Sequence, residues 1–319
     1  MRIKLAIAAM ALGLLGLVAT VPAQAARVDA AASARCVTCH DEDDLPDWSR
    51  SAHAVATDPR TPTCVTCHGP SVAHPKSASP DRMFTKKATT PISERNAACL
   101  QCHQKDAKRA FWGGSQHETA DLACSTCHKI HTNQDKVLTR TTQPGVCITC
   151  HKEQRAQLAK PSHHPIPEGK MTCTDCHNVH GSVGPKLVKR DSTNDTCYTC
   201  HAEKRGPFVH PHEPVTEDCA NCHNPHGSTV ASMLKARPPM LCQQCHTPHV
   251  GSGVGAVGGQ PGVFAPAAPG QVSPAITGTT GGKNVVNIWQ GRSCTNCHTQ
   301  VHGSNNPSPT NPTPGFLFR

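Results

Sequence analysis

The chain has 319 residues, among them 20 cysteines, 22 histidines, 24 glycines and 28 prolines, and aromatic residues make up only 3%. So few large apolar side chains among so many turn-forming residues exclude an ordinary self-supporting core of this length. The formal charge of +9 is spread between cysteine motifs without forming a basic patch, which speaks against nucleic acid as a partner.

The first residues predict a secretory signal peptide over 1-25. Arg2 and Lys4 precede an apolar stretch over 5–20, and Ala23-Gln24-Ala25 is a small-residue cleavage site. The exported chain is then expected to be 26-319. No later stretch predicts a transmembrane segment, because residues 250–272 are interrupted by glycines and prolines.

Ten Cys-x-x-Cys-His motifs follow and use every cysteine. In chain order, the first five pair Cys36 and Cys39 with His40, Cys64 and Cys67 with His68, Cys99 and Cys102 with His103, Cys124 and Cys127 with His128, and Cys147 and Cys150 with His151. The last five pair Cys173 and Cys176 with His177, Cys197 and Cys200 with His201, Cys219 and Cys222 with His223, Cys242 and Cys245 with His246, and Cys294 and Cys297 with His298. In a helical turn, positions i, i+3 and i+4 share a face, so two cysteines can form thioethers to a porphyrin while the histidine ligates its iron. Zinc sites, iron–sulfur clusters and disulfide frameworks also use paired cysteines, but none requires a histidine directly after the second. The motif is that of c-type haem attachment, and ten covalently bound haems are expected.

One haem then falls to roughly every 26 residues, so the macrocycles must serve as the core. The fold expected is mostly irregular and elongated, with short α-helices and little or no β-sheet, wrapped around packed haems. Two propionates per haem would turn the basic apo-chain into an acidic holoprotein. Lys186, Lys189 and Arg190 are candidates to neutralise propionates. The acidic run 41–44 reads either as a dock for a basic redox partner or as a solvated loop.

Whether such a chain conducts or catalyses depends on the second axial ligand of each iron. Twelve histidines lie outside the motifs: His53, His74, His117, His131, His163, His164, His180, His210, His212, His226, His249 and His302. Up to motif eight, one lies upstream of each even-numbered motif and one shortly follows it. The repeat is therefore a two-haem unit with two spare histidines, giving five units over 36-98, 99-146, 147-196, 197-241 and 242-319. Between His163 and His164, and between His210 and His212, the choice stays open, as does the iron that each histidine ligates. Met83, Met171, Met233 and Met240, the competing ligands, show no repeat relation to the motifs. Uniform bis-histidine ligation predicts low-potential irons closed to exogenous ligands, hence an electron carrier without a catalytic residue.

The segment Gly113-Gly114-Ser115-Gln116-His117, the Cys-His-Asn-x-His-Gly-Ser strings ending at Ser182 and Ser228, and the stretch from Cys294 to Asn306 resemble the periplasmic decahaem c-type cytochromes of the MtrA/DmsE family. The resemblance implies two pentahaem halves forming a wire inside an outer-membrane β-barrel porin. It also implies periplasmic or inner-membrane cytochrome donors and an extracellular multihaem cytochrome or reductase as partners. A free periplasmic electron shuttle or store, and a multihaem oxidoreductase enzyme, are the alternatives. The Gly/Pro-rich loop 250-282 departs from the repeat and reads as a contact for the porin or an outer partner, or as a linker.

Overall fold

The computed structural model describes residues 34–40, 45, 48–55, 57–76, 81–84, 89–246, 294–296 and 298–305. The signal peptide expected over 1-25, the acidic run 41–44, His249, the loop 250-282 and Cys297 lie outside the described residues.

Regular structure comes in single turns. The longest helix described is Ile92–His103, and most others are three to six residues long. Motif turns are closed by the amide of the motif histidine, which donates to the carbonyl of the first cysteine. That bond measures 2.8 Å from His40 to Cys36, 3.1 Å from His151 to Cys147 and 2.9 Å from His298 to Cys294. Short polar side chains start several of the described turns. Ser115 accepts from the Glu118 amide at 3.2 Å, Ser192 from Asp195 at 3.0 Å and Asp218 from Ala220 at 2.7 Å. They stop at the motif histidine where its backbone turns extended, as at His128 (ψ 137°) and His177 (ψ 142°).

Motifs six and eight lead into two copies of one loop. In the first, the Asn178 amide donates to the Leu187 carbonyl and the Lys189 amide to that of Cys176, both at 2.8 Å. In the second, Asn224 donates to Met233 and Lys235 to Cys222, again at 2.8 Å. Each loop closes through a pair of non-glycine residues at positive φ: Lys186 and Leu187 at 52° and 61°, Ser232 and Met233 at 57° and 56°. Strained backbone kept in both copies marks a turn that the surrounding bonds over-determine.

Sheet is confined, among the described residues, to β1 (His210–Pro211) and β2 (Gly303–Ser304), which pair antiparallel with His210 opposite Ser304. One repeat earlier a single bridge, Ser162 opposite Ser228, holds the equivalent place. Among the described residues the buried apolar side chains are Ala98, Ala123, Leu158 and Val188, whereas Leu138 and Val72 are more than 70% exposed. Among the described residues, protein side chains build no core of their own. This is the largely irregular, short-helical architecture expected of a haem-packed chain. No described helix is long and apolar enough to cross a membrane.

Backbone contacts divide the chain into two compact units. One is Met1–Cys99 with Ile130–Asn133, and the other is Leu100–Lys129 with Gln134–Arg319.

Candidate haem centres

The nineteen described cysteines form no disulfide. In the first three motifs the second cysteines Cys39 and Cys102 are exposed and Cys67 is half-buried, while the first cysteines Cys36, Cys64 and Cys99 are all half-buried. Cys124 is half-buried as well. Among the described residues no three His, Cys, Asp or Glu side chains converge on a point, as the ligands of a bare zinc ion would. Histidines meet in twos instead, and each pair joins one motif histidine to one spare.

In the first unit, the ring centroids of His40 and His74 lie 6.0 Å apart, as do those of His68 and His131. In the second unit the pairs are His151 with His117 at 6.1 Å, His128 with His180 at 6.1 Å and His201 with His164 at 6.3 Å. His177 with His226, His246 with His212 and His223 with His302 follow at 6.0, 5.9 and 6.1 Å. A metal–imidazole bond of about 2.0 Å plus a ring radius of about 1.1 Å on each side separates two rings trans on one iron by about 6.2 Å. That spacing is kept while the interplanar angle runs from 6° to 76°, which suits an atom held between the rings. The residues therefore fit a haem iron that would be held by one imidazole from each side.

The pairing crosses the sequence repeats. His117, His164 and His212 each reach forward to the next odd-numbered motif after the one they follow. His131, His180, His226 and His302 each reach back from an even-numbered motif to the even-numbered one before it. A shared bond links these two traffics: Nδ1 of His117 meets the carbonyl of Val179, which precedes His180, at 2.7 Å. His164 meets the Pro225 carbonyl before His226 at 2.8 Å, and His212 meets the Val301 carbonyl before His302 at 2.8 Å. A carbonyl only accepts, so Nδ1 carries the proton and Nε2 presents its lone pair to a metal. The motif histidines are set the same way by the carbonyls of Arg82 behind His68 (3.1 Å), Lys186 behind His177 (3.0 Å) and Ser232 behind His223 (2.7 Å).

Backbone bridges lie beside both doublets. His164 and His212 each lie two residues beyond a bridging residue, Ser162 or His210. His210 takes part in the backbone pairing, and the ring of His212 faces that of His246. Nδ1 of His163 bonds the Lys160 carbonyl and its Nε2 lies 3.1 Å from Glu168, so both nitrogens are engaged within its own loop. His53 lies in the first unit, and Trp48, five residues before it, sets its ring edge-on against His131 at 5.5 Å. Trp112 stands at the same offset before His117 and lies 6.3 Å from His180.

Burial favours the neutral form, the form that binds metal, at five of the paired rings. It lowers His180 to about 4, with His128 and Arg109 adding to the effect, and pushes His131, His177, His226 and His302 below the ordinary imidazole range.

The sulfurs form a succession. A hydrogen bond to Cys173 and then burial push the Cys147 thiol up, and Cys219 with burial does the same to Cys197. Burial first, then the partner thiol, raises Cys36 beside Cys64 and Cys242 beside Cys294. First cysteines thus meet between motifs one and two, five and six, seven and eight, and nine and ten. Second cysteines link the intervening motifs: burial raises Cys127, Cys176 and Cys222, helped by Cys150, Cys200 and Cys245 respectively. From motif four to motif ten each attachment site adjoins the next in sequence. Residue patterns alone did not disclose the carbonyls of Val179, Pro225 and Val301, or the Asp135 carboxylate 2.7 Å from Nδ1 of His128. Of the missed contacts, only the tryptophan offset left a mark in the sequence.

Comparison with known proteins agrees with this chemistry. Residues 64–144 match the family described as cytochrome c-type protein NrfB-like, and residues 163–206 and 212–251 match the doubled CXXCH motif. The chain is 44% identical to the multihaem cytochrome MtrA of Shewanella baltica over 282 residues, which is 86% of this chain and 78% of that one. It is 32% identical over 127 residues to the cytochrome c-type protein NrfB of Escherichia coli O6:H1, covering 38% of this chain and 66% of the relative. The high-molecular-weight cytochrome c of Nitratidesulfovibrio vulgaris is 25% identical over 140 residues, 36% of this chain and 26% of its own.

Proposed function

Because the chain belongs to the multihaem c-type cytochrome family represented by MtrA, and carries covalently bound haems that transfer electrons, we propose that all ten irons are closed by two histidines and that the chain conducts through an outer-membrane porin. The first ligands are the motif histidines. The second are His53, His74, His117, His131, His164, His180, His212, His226, His249 and His302, one for each iron. The observation that carries this reading is the set of eight imidazole pairs spaced for one iron each.

Each haem supplies one iron that cycles between ferric and ferrous. The chain's own residues do the rest. Two imidazoles leave no position for a substrate, and bonds to backbone carbonyls fix their tautomers so that little reorganises when charge changes. Neighbouring attachment cysteines favour transfer between motifs consecutive in sequence, over the run of motifs four to ten, in either direction.

Haem attachment of this kind and the signal expected over 1-25 speak for a periplasmic mature chain, 26-319. A porin sheath would supply the membrane passage that no described helix offers. Periplasmic or inner-membrane cytochromes would feed one end, and an extracellular multihaem cytochrome or reductase would take the other. Sealed vesicles containing a reducible dye, reconstituted with the porin and the holoprotein, test the reading. External reductant should bleach the dye only when both components are present. Equal bleaching with porin alone would sink the conduit and leave the free periplasmic shuttle or store.

A further inference from the structure

The even-numbered motifs differ in what stands behind the motif histidine. Nδ1 of His68, His177 and His223 each bonds a backbone carbonyl, whereas Nδ1 of His128 lies 2.7 Å from Oδ2 of Asp135. The carboxylate is held in place, since its Oδ1 accepts from the Val137 amide at 3.3 Å and the side chain is only 12% exposed. The loop also differs in kind. After motifs six and eight a positive-φ pair aims a carbonyl nine residues past the histidine, whereas after motif four no such pair occurs and a side chain seven residues on does the work.

A carboxylate accepts the Nδ1 proton more strongly than a neutral carbonyl and brings a negative charge with it. The ring becomes a stronger donor through Nε2, and ferric iron, the more positive state, is favoured over ferrous. We propose that Asp135 is a potential-setting residue that makes the haem of motif four harder to reduce than those of motifs six and eight. The inference rests on the ligation of that iron by His128 and His180. In a row of otherwise similar carriers such a haem fills after its neighbours, and so controls how readily electrons enter the run of motifs four to ten.

The test is a potentiometric titration of the full-length holoprotein, followed by the low-spin ferric signals of its haems. In Asp135→Asn, which keeps the shape but loses the charge, one of the ten steps should move to higher potential with haem content and low-spin character unchanged. Asp135→Glu, which restores a carboxylate, should shift that step less. A His180→Met variant reports the ligation separately, because thioether for imidazole raises the step of that same haem. If His180→Met shifts a step and Asp135→Asn shifts none, the role of Asp135 is overturned while the ligation stands. If His180→Met shifts none, the ligation itself is wrong and the proposal falls with it. Should Asp135→Asn fail to load ten haems, the redox-difference infrared spectrum of the unmodified holoprotein decides. A carboxylate band moving with one low-potential step supports the proposal, and its absence overturns it.

Discussion

His163 and His164 are neighbours in the chain with opposite surroundings. His163 spends both ring nitrogens within its own loop, while His164 turns to His201 and is steadied by the Pro225 carbonyl. Exchanging His164 for alanine should leave one ferric haem high-spin, visible by electron paramagnetic resonance. His163→Ala should leave all ten low-spin. The sequence displayed both histidines and could not choose between them. The choice depends on the bridge from Ser162 to Ser228, a register set by a distant segment that no local pattern encodes. Asp135 was illegible for a related reason. It belongs to no repeat, and its meaning lies in the ring it meets.

Among the elements, the loops after motifs six and eight carry the precision of the site. Gly181 follows His180 at φ +115°, and a Cβ placed there would lie 2.0 Å from the Phe111 carbonyl oxygen. Gly227 repeats the arrangement at φ +146° against the Gln157 carbonyl. Only glycine admits both the backbone conformation and the close approach. Gly181→Ala should cost on the order of 2 kcal/mol and lower the thermal midpoint by about 4–8 °C. Gly113→Ala, where nothing lies within 4 Å, is the control expected to change little by circular dichroism. The Gly-Ser pair after each following histidine stood out in the sequence as a string, but its reason did not, because that reason is a backbone passing overhead.

For the molecule as a whole, the cysteine motifs made class and cofactor legible, since three bonds to one haem demand a fixed local spacing. The scarcity of buried apolar side chains was equally legible from composition. What composition and spacing do not encode is connectivity. The nearest spare histidine in sequence is rarely the one that faces a given motif, because rings pair between repeats in both directions.

Under the proposed ligation, that pairing also imposes an order in time. Synthesis runs from the amino end, so His117, His164 and His212 are already made when the motifs they serve appear. His128, His177 and His223 must instead await His180, His226 and His302. Each new stretch of chain completes a centre begun two motifs earlier, and assembly proceeds as a relay in which one iron is always left unfinished at the growing end. A chain cut after residue 291 stops the relay at its last handover. It should carry nine haems, and carbon monoxide added to the reduced protein should bind at the His223 iron, giving a difference spectrum that the full-length protein lacks.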